Sequence, residues 1–125
     1  MQDYHRLDIW QRAMAFTVDI YRFSADLPEM ERYNLVTQLR RAATSVPLNI
    51  AEGSGSASKD EFAQFLSYSY RSLKELITCL EICQRLYPER GSAQVASLRD
   101  EGNQISRMTW TLMRRLSVRG TGWRS

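Results

Sequence analysis

Arg40 and Arg41 stand side by side in the stretch Gln38–Gly53, QLRRAATSVPLNIAEG, and the chemistry open to such a pair is phosphate contact. Neighbouring side chains on a helix point about 100° apart, so at most one of them lies deep against a bundle. Two readings stand: one arginine touches a phosphate, or one pairs with a carboxylate such as Glu75 while the other is solvated. A second group of cations closes the chain. From Arg114 to Ser125 there are four arginines (Arg114, Arg115, Arg119 and Arg124) and no acid. Taking those four from the 17 basic residues leaves 13 against 14 acidic, so the body carries net −1 and the overall +3 belongs to the tail. Such a tail suits nucleic acid or an acidic partner, or it is a solvated C-terminus.

Asn49 and Glu52 follow Pro47 closely. A proline inside a helix frees a carbonyl, and nearby polar side chains can satisfy it, so Asn49, Glu52 and Glu75 are expected in a structural polar network rather than a ligand site. Trp10, Tyr21, Tyr33, Tyr68, Tyr70 and Trp110 form an aromatic surplus outside the main apolar stripes. Apolar area of that kind marks an interface, and a closed homo-oligomer using Trp10, Tyr68 and Trp110 accounts for it. Base stacking beside arginines is the alternative.

The chemistry of catalysis is missing. His5 is the sole histidine, E-x-x-H is absent, and no nucleophile elbow, Walker loop or G-x-G-x-x-G turn occurs. Cys79 and Cys83 lie four apart, with Cα atoms about 6 Å from each other on a rigid helix, and read as reduced, packed thiols. A zinc site needs more ligands than His5 could add. The expectation is a protein that is not an enzyme, with no metal and no cofactor.

These residues need a scaffold to place them. At 125 residues, with 43% hydrophobic and 25% charged residues, the chain fits one domain and has enough apolar mass for a core. No apolar run approaches the roughly 20 residues of a membrane span. The start, MQDYHRLDIW, carries no export signal, so the expected compartment is the cytoplasm. Ile9, Ala13, Phe16, Ile20, Phe23 and Leu27 recur at helical steps until Pro28 ends the first helix. A second helix is expected from Glu29–Arg32, carrying Leu35, Leu39, Ala42, Ala43, Val46 and Ile50 through Pro47, where a kink is expected, to a turn at Gly53–Ser58. Ser58 with Glu61 makes a capping box that opens a third helix. Its stripe runs through Phe62, Phe65/Leu66, Ser69, Leu73, Leu76, Leu80, Cys83 and Tyr87. A fourth starts near Gly91-Ser92 with Val95, Leu98, Gly102, Ile105, Thr109, Leu112 and Leu116. Four amphipathic segments on short links describe an all-α, antiparallel up-down-up-down four-helix bundle. Its ordered core is expected over about 5–118, with a basic tail at 119–125.

The order L-x-I-W-Q-x-A (Leu7–Ala13), Q-L-R-R-A-A-x-S-V-P-x-N-I-A-E-G (Gln38–Gly53), E-F-x-x-F-L (Glu61–Leu66) and S-L-x-E-L (Ser72–Leu76) resembles the four-helix-bundle proteins encoded by intervening sequences of bacterial 23S rRNA genes, also called S23 ribosomal proteins. More distantly it resembles the accessory variability determinant of diversity-generating retroelements. The resemblance covers about residues 5–118 and implies a homopentameric ring. From the retroelement relatives it implies a basic surface that meets nucleic acid. Arg40 and Arg41 fall on the family's double arginine, and Asn49, Glu52 and Gly53 on its N-I-A-E-G; no catalytic residue transfers. One departure is Gly53-Ser54-Gly55-Ser56, where the family often carries a further basic or aromatic residue.

Two functions are therefore expected from different classes. One is a homo-oligomer that binds RNA or DNA through Arg40, Arg41, Arg114, Arg115 and Arg119. The other is a scaffold for a protein partner, contacted through the off-stripe aromatics, with no nucleic-acid role.

Overall fold

The computed structural model describes residues 3–117. Four helices carry the stripes: α1 (Asp8–Ala25), α2 (Leu35–Ser54), α3 (Lys59–Leu86) and α4 (Ser92–Leu116), with 3-10 turns at Tyr4–Arg6 and Glu29–Glu31. No strand occurs among the described residues. Helix α2 packs on α1 and α3, and α4 packs on α3 and α1, so α2 and α4 are diagonal. The side-chain links fix an antiparallel register throughout. Thr17 of α1 meets Ala43 of α2, Ser45 and Val46 of α2 meet Ser72 and Ser69 of α3, and Tyr70 of α3 meets Trp110 of α4. The bundle expected from the periodicity is the bundle that forms.

Every residue of the α1 stripe, Ile9 through Leu27, is buried. On α3 the pattern selects Leu66, not Phe65, for the centre: Leu66 is fully buried and Phe65 only half-buried. On α4 the inner row turns from Ile105 and Thr109 to Met113, while Leu112 and Leu116 pack at the edge. A four-residue step continued past Thr109 where a three-residue step was expected. The row joins the others in one core drawn from all four helices. Each fully buried Leu, Ile or Phe there contributes roughly 1.5–3 kcal/mol relative to exposure.

The ends are set by local chemistry. Ser58 Oγ accepts the Glu61 N–H at 3.1 Å, and Glu61 reaches back to the Ala57 N–H at 3.3 Å, so the capping box closes one residue earlier than the ideal form. Gly91 opens α4 at φ 63°, a left-handed conformation that favours glycine. The second helix does not begin at Glu29–Arg32. That segment is a 3-10 turn after Pro28, and the α-helix starts only at Leu35, because Asn34 (φ −118°, ψ −97°) breaks the spiral between them. The turn is held down by Glu31, a buried acid whose carboxylate accepts the Tyr87 hydroxyl proton at the far end of α3.

Nor does Gly53 open a turn. It lies inside the last turn of α2 and is buried, and a Cβ there would sit 2.7 Å from Phe65 Cβ and 2.9 Å from Phe62 Cδ1. The glycine of N-I-A-E-G lets α2 and α3 approach where they join.

Pro47 leaves α2 unbroken from Leu35 to Ser54. The carbonyl it strips of an amide donor is that of Ala43, four residues back. Thr17 supplies the replacement: its hydroxyl lies 2.8 Å from Ala13 O within α1 and 3.1 Å from Ala43 O across the interface. The proline is thus compensated from the neighbouring helix.

Candidate nucleic-acid interface

The double arginine separates once it is folded. Arg40 is half-buried and turned onto α1, with Nε donating to Ser24 Oγ at 2.8 Å and Nη2 to the Tyr21 carbonyl at 3.1 Å. Its guanidinium also lies 4.5 Å from the Tyr21 ring centroid. The carboxylate partner expected in Glu75 is not used; Glu75 is exposed on α3, whereas Arg40 faces α1. A shallow cleft of about 180 Å³ beside Arg40 includes Arg32, itself paired with Glu29 at 3.2 Å. Arg41 is exposed on α2, diagonal to α4.

The polar network at Pro47 contains Asn49 but neither acid. Asn49 Nδ2 donates to Ser45 O at 2.8 Å and Ser45 Oγ at 3.0 Å, and Ser45 Oγ meets Ser72 Oγ of α3 at 2.8 Å. Glu52 is exposed. The freed carbonyl goes to Thr17, which carried no special pattern in the sequence beyond a hydroxyl on a helix.

The aromatic surplus divides in the same way. Trp10 is half-buried beneath the Tyr4–Arg6 turn, with Tyr4 and His5 ring centroids at 5.1 and 5.2 Å. Trp110 and Tyr70 are half-buried and tilted against each other at 5.5 Å. Tyr68 is 37% exposed, edge-on to Phe65 and bonded to Gln64. Trp10 and Trp110 therefore spend part of their surface inside the chain.

What the fold does bring together lies along α4, at its seams with α3 and with α1. Lys74 Nζ stands 5.0 Å over the Tyr70 ring. Tyr70, Lys74, Ser106, Arg107 and Trp110 line one cleft of about 370 Å³, and Arg107 and Arg115 line a second of about 370 Å³ with Ile9, Met108 and Leu112. Arg107, Arg114 and Arg115 are all exposed, and none has an ion pair among the described residues. The acid-free stretch in fact reaches back to Gly102, so Arg107 extends the group that the sequence reading began at Arg114. Arg119 lies outside the described residues.

Nearby, Arg12 is already neutralised. It grips Glu101 with Nη2–Oε1 at 2.6 Å and Nε–Oε2 at 3.0 Å, and also reaches Gln104 Oε1 at 2.9 Å. That carboxylate raises the Arg12 pKa above its ordinary value. It stitches α1 to α4 and leaves the arginines beyond it without acidic competition. Lys74, Arg107 and the ring pair share one face because Tyr70/Lys74 and Asn103/Arg107 are four-residue steps on facing helices. That spacing is present in the sequence, but only the fold sets the two pairs on neighbouring helices.

No group of three or more His, Cys, Asp or Glu side chains suited to a metal ion occurs among the described residues. Cys79 and Cys83 are buried free thiols. Burial pushes the Cys83 thiol up to about 11, which makes it a poor nucleophile at neutral pH. No described helix is long and apolar enough to cross a membrane.

Comparison with curated proteins returns no match. Among solved structures, the chain is similar to a protein of unknown function from the S23 ribosomal protein family of Bacteroides thetaiotaomicron, with a TM-score of 0.74 at 21% identity, covering 85% of this chain and 98% of that one. At that identity the likeness shows a shared fold. The sequence itself decides the family: residues 5–111 match the 23S rRNA-intervening sequence proteins, and the chain belongs to that family.

Proposed function

We propose that this chain is a non-catalytic, homo-oligomeric protein of the cytoplasm that binds nucleic acid along α4, at its seams with α3 and α1. The observation that carries this reading is a row of cations along α4 with no acidic partner among the described residues: Arg107 and Lys74 line a cleft with Tyr70 and Trp110 at the α3 seam, and Arg107 and Arg115 line a second with Met108 at the α1 seam. Cations neutralise phosphates and release counterions, while aromatic rings give bases something to stack on. Arg114 continues the basic face; Arg40 is a structural tie between α1 and α2. The family's name supports a link to ribosomal RNA genes, and a product of such a gene need not bind the RNA.

The test is salt dependence. Binding of a structured RNA at ~50 mM salt should weaken with a log–log slope of about −0.7 to −0.9 per phosphate neutralised. Arg107→Gln or Arg115→Gln should each reduce that slope by about one contact. Arg40→Met should leave the slope alone and lower stability instead, by about 1–2 kcal/mol for two hydrogen bonds and a cation–π contact. Absence of binding at ~50 mM salt sinks the reading.

Self-association is supported by a separate stripe. Met14, Val18 and Tyr21, at i, i+4 and i+7 on α1, are each 40–45% exposed, an apolar row turned away from the core. A ring of five is what resemblance to the family suggests. A monomer by sedimentation at micromolar concentration removes this part of the proposal, and Val18→Asp should shift the equilibrium toward monomer.

A further inference from the structure

The cleft between α3 and α4 has features that charge alone does not require. Ser106 is 3% exposed, lies in the cleft wall, and its hydroxyl has no hydrogen-bond partner among the described residues. A helical serine ordinarily bonds back to its own helix, and a buried hydroxyl without a partner is uncommon in native proteins. One turn before it, Asn103 brings a carboxamide to the same wall. One turn after Ser106 on the same helix stands Trp110, Tyr70 meets it from α3 with ring centroids 5.5 Å apart, and Lys74 of α3 and Arg107 of α4 add two cations to the lining. The volume, about 370 Å³, is that of a small-ligand site.

This set resolves into three functions on one ligand. The rings offer a stacking surface, the carboxamide and hydroxyl offer donor and acceptor pairs for a planar heterocycle's edge, and the two cations offer charge to an attached phosphate. Resting on the nucleic-acid reading above, we infer that this cleft holds a single unstacked base of a single-stranded nucleic acid, stacked against Trp110, read by Asn103 and Ser106, and anchored by Lys74 and Arg107 through the neighbouring phosphates. A duplex cannot use such a site, because its bases are already stacked on one another and present only their edges in the grooves. Loops, bulges and strand ends can.

Trp110 is one of three tryptophans, with Trp10 and Trp123, so a Trp10→Phe/Trp123→Phe variant makes its emission a local reporter. This variant would be titrated with a short single-stranded RNA, the matched duplex, and the constituent mononucleotides at one salt concentration. The inference expects the single strand to quench Trp110 and to bind at least ~10-fold tighter than duplex, about one affinity decade. Mononucleotides should quench only at far higher concentration. Ser106→Ala, which removes only an unpartnered hydroxyl, and Asn103→Ala should flatten the preference among homopolymers while leaving the salt slope unchanged. Lys74→Gln should reduce the slope and keep the preference.

Equal binding of single strand and duplex with Trp110 emission unmoved overturns the base cleft but leaves the nucleic-acid reading standing. Mononucleotide binding as tight as that of the strand overturns the strand assignment. If neither polymer binds, both readings fall.

Discussion

Replacing Thr17 with Val keeps the shape of the side chain and removes one hydroxyl, and the structure says what that hydroxyl is for. Pro47 has no N–H, so the Ala43 carbonyl lacks its helical donor, and Thr17 Oγ1 lies 3.1 Å from it. Ala43 is fully buried. A buried carbonyl left without a partner costs about 1–3 kcal/mol. Thr17→Val should therefore lower stability by about 1–2 kcal/mol, or about 4–8 °C in Tm for a domain of this size. Pro47→Ala restores the missing amide and by itself should stabilise, since an interior proline costs a helix about 3 kcal/mol relative to alanine. In that background the Thr17 hydroxyl has only the Ala13 carbonyl left to serve, which already has its own helical amide. Thr17→Val should then cost about 0.5 kcal/mol or less, giving a coupling energy of about 1 kcal/mol in a double-mutant cycle. Urea unfolding of the four proteins, followed by circular dichroism, measures it. Equal costs of Thr17→Val in the two backgrounds would refute the assignment of Thr17 as the proline's compensating donor.

The two buried helix glycines should part ways on substitution. Alanine in a helix gains about 1 kcal/mol over glycine, but at Gly53 the added Cβ meets Phe65 Cβ at 2.7 Å, an atom fixed to its backbone, so Gly53→Ala should lose about 1–2 kcal/mol net. At Gly102 the nearest atoms, at 3.2–3.3 Å, are the side-chain atoms Ile77 Cγ1 and Phe16 Cζ, so Gly102→Ala should be within about 1 kcal/mol of wild type; urea midpoints that rank the two the other way contradict this. Alkaline pH should weaken the fold. Burial raises the Cys83 thiol to about 11 from an ordinary 9.0, and the hydrogen bond to Glu31 raises the Tyr87 phenol. Both groups are favoured in their protonated forms by folding, so their contribution is whole below the ordinary values and drains away as pH climbs through the raised ones. Urea midpoints that stay level up to pH 11 would contradict it, and Tyr87→Phe should make the decline shallower. At pH 7 the Cys83 thiolate fraction is about one in ten thousand, so a thiol reagent should label it only after denaturation; prompt labelling of Cys83 in the native protein counts against the burial assigned to it.

Helical periodicity carried most of the architecture because it records a physical repeat: a residue every three or four positions must face the core or water. Ile9 to Leu27 and Val95 to Ile105 announced their faces that way. The second helix's start did not, because Glu29–Arg32 has a good helical composition, yet the spiral breaks at Asn34 and Glu31 is tied instead to Tyr87, the residue capping α3. Gly53 misled for a related reason. Beside Ser54 and Gly55 it has the composition of a turn, and only the approach of Phe62 and Phe65 reveals it as the last, close-packed step of a helix.

The motif that identifies the family is for the most part a device for packing α2. Arg40 clamps it to α1, Pro47 is answered by Thr17, Asn49 joins Ser45 and Ser72, and Gly53 lets α3 draw near. Arg40 and Asn49 thereby spend on packing the polar groups that a ligand could have used. A long shared motif of this kind specifies a fold strongly and says little about what the fold binds. The binding chemistry then has to be sought where side chains keep their hydrogen-bonding capacity. On this bundle that is the exposed side of α4, where Arg107 and Arg115 have no acidic partner among the described residues and Ser106, its hydroxyl unbonded among them, lines a cleft with Tyr70 and Trp110.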